Sequence, residues 1–384
     1  MKWSSAVSRS SELEQAIDEV AERVSFELGS RSPDLAIVFV SAHHVRGYAD
    51  VPRGLAAALA SRVLVGCSAG GVIGGAQEVE EEPGLSLTAA LLPGVDLEPF
   101  HLDNDETAPL SPPAKDPPHF LLLADPFTFE AESFLRALDL RFPDSRKIGG
   151  LASGGGSPGE NVLYLGADVH RGGLVGVAMS GDIQLETIVA QGCRPIGEPM
   201  FVTRSQGNVL YGLDGNPPLE VLHHLFGRLD ERDRELFRHS LFLGIVMKES
   251  AGVYRQGDFL IRNIVGMDAD NGTLAVGAVV REGTIVQFHL RDARTSAEDL
   301  EELLLRQGGE SAPRPSGALL FSCLGRGRHL YGRPDHDTDA FRRHLGEVPL
   351  GGFFCNGEIG PVHGTTFLHG YTSSFGLFRS RRTR

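Results

Sequence analysis

A pattern of strand, helix, glycine-rich segment and second strand occurs three times in this chain of 384 residues and constrains its fold most strongly. The copies begin at continuous apolar stretches, typical of strands buried on both faces, at residues 35–40, 120–124 and 318–322. Helices are predicted near 54–61, 130–138 and 339–345, glycine-rich segments at 64–74, 147–155 and 350–360, and last strands near 85–92, 174–179 and 366–369. Such repetition predicts duplication of a β-α-β-β module.

The glycines recur between the copies, whereas the thiols do not. Aligned without gaps, Gly66 falls opposite Gly150 and Gly352. Glycine allows a positive φ and a close approach of neighbouring backbone, so these positions are predicted to share one backbone geometry. Cys355 aligns with Ala69, and its thiol is therefore specific to the third copy.

The remaining sequence indicates two domains and a mixed α/β (α+β) fold. The stretch 215–218 contains glycine and two prolines that would interrupt any strand, so it predicts a boundary between domains 1–215 and 216–384. Short strands alternating with turns from residue 241 to residue 288 predict a meander in the second domain. We expect two related domains in which repeated β-α-β-β units form sheets packed against helices.

Composition and charge argue against several classes of protein. A net charge of −14 would repel nucleic-acid backbones, so nucleic acid is not an expected partner. The chain has no apolar run of about 18 residues and no signal-peptide pattern at its start, which predicts a cytoplasmic protein without a membrane partner. The four cysteines are scattered without CxxC spacing, which argues against a disulfide scaffold and against zinc.

No motif for a cofactor or a metal stands out either. The glycine run 154–159 lacks the lysine and hydroxyl residue of a phosphate-binding loop, so no cofactor is expected. His329, Asp335, His336 and Asp337 fall in a proline-containing stretch that is predicted to be a loop. Solvated charges are the expectation there, rather than metal ligands.

Polar side chains in two apolar strands of the second half are the first candidate binding residues. Arg262 and Asn263 interrupt one strand, and Arg291 and Asp292 end another. Burying such groups is costly unless they are paired. Either they form structural ion pairs, or they recognise a small anionic or zwitterionic ligand, a task that suits the arginine fork.

A second candidate set occurs only in the third copy and comprises Cys323, Arg326, Cys355, Asn356 and Glu358. These residues follow buried strands at glycine-rich turns, where a ligand can come close to the backbone. A cation such as Arg326 lowers the pKa of a nearby thiol, which would favour a nucleophilic role for Cys323. No spacing ties a histidine to either cysteine, so no catalytic residue is assigned.

These motifs resemble those of the FIST domain family. The likeness covers its N-terminal and C-terminal domains and rests on residues 34–41, 65–73, 75–80, 259–263, 287–292, 321–327 and 356–360. The resemblance implies an intracellular sensory protein of signal transduction that binds small ligands such as amino acids. It brings no agreed catalytic residues.

We therefore expect a sensor of a small, amino-acid-like ligand that carries a carboxylate and binds in a pocket of the second domain. Two arginines would hold the carboxylate, three side chains would fix other polar groups, and two thiols and an arginine would line the wall. In that order they are Arg262 and Arg291; Asn263, Asn356 and Glu358; and Cys323, Cys355 and Arg326. Asp292 belongs to the same predicted site, and a signalling protein is the expected partner. The alternatives are an enzyme that uses one of the two thiols and an adaptor without a ligand.

Overall fold

The chain divides into two compact bodies in a computed structural model that describes residues 1–103, 117–248, 253–308 and 314–381. The repeat body comprises Met1–Val189, Leu300–Leu368 and Thr372–Arg384, and the barrel body comprises Ala190–Asp299 and His369–Tyr371. The boundary predicted at residues 215 and 216 divides the chain by sequence order, whereas these two bodies are defined by spatial compactness, and the two divisions differ. That boundary stays a prediction.

The described residues contain twenty-four strands and eight α-helices. The strands before the barrel are β1 Lys2–Ser8, β2 Leu35–Ser41, β3 Val63–Ala69, β4 Gly71–Gly74, β5 Gln77–Glu80, β6 Leu85–Leu91, β7 Val95–Leu102, β8 His119–Ala124, β9 Lys147–Leu151, β10 Leu163–Leu165, β11 Asp168–His170, β12 Leu174–Gly181 and β13 Gln184–Gln191. The barrel strands are β14 Cys193–Gln206, β15 Val209–Leu213, β16 Leu241–Val246, β17 Phe259–Asp268, β18 Thr273–Val276 and β19 Ile285–Arg291. The last strands are β20 Gly317–Cys323, β21 Leu350–Cys355, β22 Glu358–Val362, β23 Thr365–His369 and β24 Thr372–Arg379.

The helices connect these strands and cover the sheets. They are α1 Leu13–Leu28, α2 Val51–Ala58, α3 Ala131–Arg141, α4 Pro218–Arg228, α5 Glu231–His239, α6 Ala293–Gln307, α7 Gly327–Tyr331 and α8 His336–Leu345, with a 3-10 helix at Ala42–Asp50. In α1, Ile17, Val20 and Val24 recur at helical spacing and are buried, and Gly29 ends the helix with φ 73°. Among the residues described, no helix is both long and apolar enough to cross a membrane.

Three six-stranded sheets of one design form the repeat body. Their strand orders are β1-β6-β2-β3-β10-β11, β7-β12-β8-β9-β22-β23 and β13-β24-β20-β21-β4-β5. Each sheet centres on a parallel pair from one copy, and the returning strand of that copy pairs antiparallel beside it. The outer hairpin always comes from a different copy. The first copy gives its hairpin to the third sheet, the third to the second, and the second to the first.

This cyclic exchange explains why the three copies fold as one body. A strand edge left unpaired presents open N–H and C=O groups. Here the edge of β3, β9 or β21 is covered only because a neighbouring copy supplies β10, β22 or β4. The internal repeat is therefore a structural unit that depends on its neighbours.

One glycine in each parallel pair makes the close strand approach possible. An added Cβ would lie 2.0, 1.7 and 1.8 Å from a carbonyl oxygen of the adjacent strand at Gly66, Gly149 and Gly352 respectively. Gly149 and Gly352 also have φ values of 152° and 151°, which side chains rarely allow. All three positions share the close approach to a carbonyl oxygen of the adjacent strand, whereas the positive φ is found at Gly149 and Gly352 and not at Gly66.

The alignment of the second copy is wrong by one residue. Gly149, rather than Gly150, takes the place of Gly66, because the parallel register pairs Leu122 with Gly149 as it pairs Val38 with Gly66. The sequence alignment could not show this shift, because Gly149 and Gly150 are adjacent and either glycine could be matched to Gly66.

The barrel body lies along the chain between β13 and β20, two strands of the third sheet. Its six strands close in the order β14-β15-β18-β17-β16-β19, and its interior includes Ile196, Leu243 and Phe288. The meander predicted from residue 241 to residue 288 corresponds to β16 through β19. The predicted mixed α/β class is confirmed, with 43% strand, 26% helix, several mixed sheets and two domains.

Candidate functional site

The nine predicted site residues fall into two groups, one in each body. The barrel body contains Arg262, Asn263, Arg291 and Asp292, and the repeat body contains Cys323, Arg326, Cys355, Asn356 and Glu358. Each group is described by itself below.

Tyr371 brings two of the barrel residues to one surface. The guanidinium of Arg291 lies 5.4 Å from the centre of the Tyr371 ring, and the Tyr371 hydroxyl donates a hydrogen bond to Asn263 Oδ1. The ring also packs 4.3 Å from that of Phe242. Tyr371 has φ 65°, an uncommon conformation for a bulky residue that marks a held position. Sequence reasoning missed Tyr371, and it lies far along the chain from its partners.

Asp292 is the centre of an ion-pair network. It is 4% exposed and accepts hydrogen bonds from Arg194 Nε at 3.3 Å and from Arg232 Nη2 at 2.9 Å. Burial raises the pKa of Asp292, but hydrogen bonds from the Arg294 N–H and from Arg194 outweigh it, and the pKa is lowered overall. Asp292 is thus a paired carboxylate at the start of α6. Arg262 differs, since its Nη1 donates to the Ile261 carbonyl at 3.0 Å.

Arg326 is the most deeply buried cation of the third copy. Its guanidinium, 1% exposed, donates from Nε and Nη2 to the two oxygens of Asp337, at 3.0 and 3.1 Å. Nη2 also donates to the Tyr331 hydroxyl at 2.7 Å. Burial disfavours both charged forms, but the electrostatic attraction between the two side chains outweighs it. The pKa of Asp337 is therefore lowered, and the pKa of Arg326 is raised. Arg326 therefore anchors α8 from inside the body.

Asp337 corrects the expectation of a solvated loop. Residues from His336 onward form α8, and Asp337 also accepts from Ser373 Oγ and pairs with His336 Nδ1 at 3.0 Å. The apolar residues Ala340, Phe341 and Leu345, all buried, were the signal in the sequence that this stretch begins a packed helix.

Glu78 is a buried carboxyl group that sequence reasoning also missed. Its Oε1 accepts the Thr338 N–H at 2.9 Å, while Oε2 has no hydrogen-bond partner within the described residues. Burial, followed by the charge of Asp337, raises the pKa of Glu78 to about 8. Its strand, Gln77–Glu80, is mostly polar, so the sequence held no signal that this carboxyl group would be buried.

Cys355 and Glu358 form a buried thiol–carboxyl pair. Cys355 Sγ lies 3.5 Å from Glu358 Oε1, and Glu358 Oε2 accepts from the Thr372 N–H at 3.0 Å and from its hydroxyl at 2.8 Å. Burial raises the pKa of Glu358 to about 7 against these hydrogen bonds. Burial likewise raises the pKa of the Cys355 thiol.

Asn356 joins the second and third copies at an exposed turn. Its backbone N–H donates to the Leu151 carbonyl at 3.1 Å, and its side-chain Nδ2 donates to the Ala152 carbonyl at 3.2 Å. Asn356 thereby fixes the crossover that carries the chain from β21 to β22.

A depression of about 290 Å³ opens at the carboxyl ends of β3 and β21. We call it the third-sheet pocket; it is lined by Gly70, Gly71, Glu80, Glu81, Leu324, Arg328, His329 and Phe354. Glycine turns of the first and third copies meet there, since a Cβ on Gly70 would lie 2.6 Å from the Leu324 side chain. Crevices outside the carboxyl ends of strands are the usual ligand sites of α/β sheets.

Both signs of charge line this pocket. Glu80 accepts the Arg328 N–H at 2.9 and 3.1 Å, and Gly327, with φ 58°, lets that carboxylate reach the start of α7. Burial raises the pKa of Glu80 more than the Arg328 N–H lowers it. Glu81 is exposed and has φ 58°, an uncommon conformation outside glycine that often accompanies a functional site. No His, Cys, Asp and Glu cluster among the described residues has the arrangement of a metal site.

Three α/β copies that exchange hairpins, an inserted barrel and a small polar pocket define this class of protein by its fold and site. Comparison with protein families identifies it further: the FIST N domain matches residues 34–216 and the FIST C domain matches residues 218–361. Together these matches cover nearly the whole chain. The chain belongs to the FIST family, as the sequence motifs predicted.

Similar proteins occur in bacteria and in a plant. An uncharacterized protein of Mycobacterium tuberculosis is 38% identical over 386 residues, which cover 98% of this chain and all of that protein. An uncharacterized protein of Mycobacterium bovis is 37% identical over 372 residues, 95% of each chain. An F-box/LRR-repeat protein of Arabidopsis thaliana is 24% identical over 185 residues, 42% of this chain and 34% of its own length.

Proposed function

We propose that this chain is a sensory protein of signal transduction that binds a small, zwitterionic, amino-acid-like ligand in the third-sheet pocket. The observation that carries the proposal is the pairing of opposite charges, from Arg328 and from Glu80 and Glu81, around an apolar wall. FIST domains are associated with sensory functions in signal transduction, which supports the same class of role.

The two ends of such a ligand have matching partners in the pocket. The Arg328 guanidinium suits a carboxylate, because its planar fork can donate two parallel hydrogen bonds. Glu81 suits an ammonium group, since the neighbouring Glu80 carboxylate is already held by the Arg328 N–H. Leu324, 40% exposed, and Phe354 offer the apolar contact for a short side chain.

The residues that would touch the ligand in this pocket are not the ones that the sequence predicted. Cys323 and Cys355 directly precede and follow the wall residues Leu324 and Phe354, so they support the wall. Arg326 and Glu358 lie buried behind it, and their proposed part is to hold the backbone in place.

The barrel surface supports a second part of the proposal, a protein partner to which the signal passes. Several large apolar side chains of that body are more than half exposed: Phe201, Val253, Val265, Met267 and Val279. Exposed apolar groups of this kind are common at protein interaction sites. The proposed setting of this exchange is the cytoplasm.

Calorimetric titration with the twenty amino acids tests the ligand proposal. We expect at least one to bind, and its deaminated and decarboxylated analogues to bind at least about tenfold more weakly, a loss of about 1.4 kcal/mol. Arg328→Ala should weaken binding by a similar or larger factor. Arg53→Ala is the matched control, because Arg53 is an exposed arginine of the same body outside the pocket.

Two results would contradict the proposal. One is that no amino acid binds the intact chain. The other is that Arg328→Ala leaves binding unchanged while Arg291→Ala abolishes it, which would assign the carboxylate to the Arg291, Tyr371 and Asn263 surface, near Arg262.

A further inference from the structure

Cys323 and Cys355 face each other across two neighbouring strands. The parallel register of β20 and β21 makes them direct partners. Their side chains project to the same side of the sheet, because paired residues in parallel strands share a face. Two residues earlier, the partners Phe321 and Phe353 confirm this, with ring centres 5.8 Å apart.

The strand spacing allows a covalent bridge between these two residues. Neighbouring strands lie about 4.7–4.9 Å apart. The Cα atoms of disulfide-bonded cysteines are usually roughly 4.4–6.8 Å apart. A bridge between Cys323 and Cys355 therefore needs no rearrangement of the strands, and all four cysteines are thiols in this structure.

The two thiols have unequal surroundings. Cys323 is partly exposed at the end of β20 and interacts electrostatically with the nearby Arg326 guanidinium. A neighbouring cation favours the thiolate form of a cysteine. Cys355 is fully buried, and its Sγ occupies the space that a Cβ on Gly150 would take, 3.0 Å away. An oxidant would therefore react first with Cys323, and the buried Cys355 would then react with the oxidised Cys323.

Glu358 supplies a proton acceptor beside the buried thiol. Its Oε1 is 3.5 Å from Cys355 Sγ, and Thr372 holds its other oxygen in place. A carboxyl group with a pKa of about 7 is half ionised near neutral pH, where general bases work best.

We propose that Cys323 and Cys355 form a redox modification site, in which a hydroperoxide oxidises the two thiols to a disulfide and Glu358 accepts the proton of Cys355. Leu324 and Phe354, the direct neighbours of the two cysteines, line the third-sheet pocket, so the bridge would tie two segments of its wall together. Only this consequence for binding rests on the proposed function; the bridge itself does not.

The chemistry proceeds in two balanced steps. The Cys323 thiolate attacks one peroxide oxygen, an S–O bond forms, the O–O bond breaks, and the alcohol or water leaves with a proton from solvent. The Cys355 sulfur then attacks the sulfenic sulfur of Cys323, so that an S–S bond forms and the S–O bond breaks. The leaving hydroxide becomes water with the proton that Glu358 took from Cys355. The two thiols lose two electrons in total, and the peroxide gains them.

Peptide mapping by mass spectrometry under non-reducing conditions tests the site. The full chain, treated with an equimolar amount of hydrogen peroxide and then alkylated, should yield one linked pair that contains Cys323 and Cys355. Dithiothreitol should restore both thiols, since a bridge with one partly exposed sulfur is open to exchange. Cys67 and Cys193, both buried, should remain alkylatable after unfolding. The proposal fails if Cys323 and Cys355 stay reduced, or if Cys323 pairs with another cysteine or another chain.

Variants separate the two steps. In Cys355→Ser, Cys323 should stop at the sulfenic acid, which dimedone traps, and no linked pair should form. In Glu358→Gln, the loss of the Cys323 thiol should keep its rate, while closure of the bridge slows by roughly a hundredfold. Glu22→Gln, an exposed change on α1, is the control. Closure at the control rate in Glu358→Gln would overturn the role of Glu358, and a missing bridge in the wild-type chain would overturn the site whatever the variants do.

Discussion

The first and third copies share a backbone but carry different chemistry at equivalent positions. Where the parallel strands end, the first copy pairs Ser41 with Ala69, and the third pairs Cys323 with Cys355. At the start of the exchanged hairpin, the first copy has Val72 where the third has Glu358.

This difference teaches which features the fold requires. The glycine that faces a carbonyl of the adjacent strand is present in every copy, because a Cβ there would collide with backbone. The thiols and the buried carboxyl group are present in one copy only. Backbone clearance therefore constrains all three copies, whereas side-chain chemistry at the strand ends is free to specialise.

The largest loss of stability is expected when the glycine that all three copies share is replaced. Gly352→Ala would place Cβ 1.8 Å from the Leu320 carbonyl oxygen at φ 151°, and we expect a loss of about 4 kcal/mol or more. Gly66→Ala and Gly149→Ala should be comparably damaging, as measured by denaturant unfolding or by recovery of folded protein. Gly156→Ala, which has nothing within 4 Å of its Cβ, is the control. Near-normal stability of Gly352→Ala would show that the strands can separate without cost.

A smaller loss is expected from the polar feature that is specific to the third copy. Arg326→Ala leaves Asp337 buried without its main partner, and we expect the free energy of unfolding to fall by about 3 to 4 kcal/mol. Arg326→Met with Asp337→Leu should lose less than the two single changes together, because neither charge is then stranded. Additive losses in this double-mutant cycle would contradict a coupled pair.

The strands of the parallel pairs were predictable, but their partners were not. The last strand predicted for the third copy near 366–369 is wrong, because β23 of the exchanged hairpin lies there and the returning strand is β24. Continuous apolar runs such as 35–40 identify strands buried on both faces, and β2, β8 and β20 lie there. The exchange of hairpins depends on which sheet each one reaches after its glycine turn, and local periodicity carries no signal for that choice. The insertion of the barrel was not predicted for the same reason. It separates Val189 from Leu300 along the chain, and local periodicity does not show that these two segments belong to one body.

The candidate site shows the same limit at the level of single residues. Cys323 and Asn356 could be placed at strand ends from the apolar runs that precede them. Arg326 was expected on a pocket wall, but its burial depends on Asp337, whose side chain reaches it only once α8 has packed. The pocket residue Glu81 comes from the exchanged hairpin of the first copy, so tertiary topology alone brings it to Leu324.

The buried carboxyl groups give the third sheet a pH dependence with a defined sign. The pKa of Glu78 is about 8 in the fold against a usual 4.5, so the unfolded chain releases this proton first. Its contribution to stability is complete below about pH 4.5 and is lost as the pH rises towards 8. The slope is on the order of 1 kcal/mol per pH unit. Glu78→Gln should match the wild type at pH 5 and exceed its free energy of unfolding at pH 8.

Glu358→Gln should act in the same direction over a narrower window, because the pKa of Glu358 is raised only to about 7. Urea unfolding between pH 5 and pH 9 measures both variants. A Glu78→Gln variant that is less stable than the wild type at pH 8 would mean that the carboxylate is held favourably, which would contradict its burial beside Asp337.

The smallest effect is expected from converting the third copy towards the first at its thiol. Cys355→Ala installs the residue that the first copy has at Ala69, and we expect a loss of about 1 kcal/mol, because only the contacts of one sulfur atom, with Gly150 and Glu358 among its neighbours, disappear. The thiol hydrogen bond lowers the pKa of Glu358, so its removal should move the loss of stability with pH to a higher pH. Urea unfolding of Cys355→Ala and of Cys355→Ala with Glu358→Gln separates the two contributions. A loss as large as that of Arg326→Ala would show that the thiol, like the ion pair, is required for folding, and the division between shared backbone and specialised chemistry would then be wrong at this position.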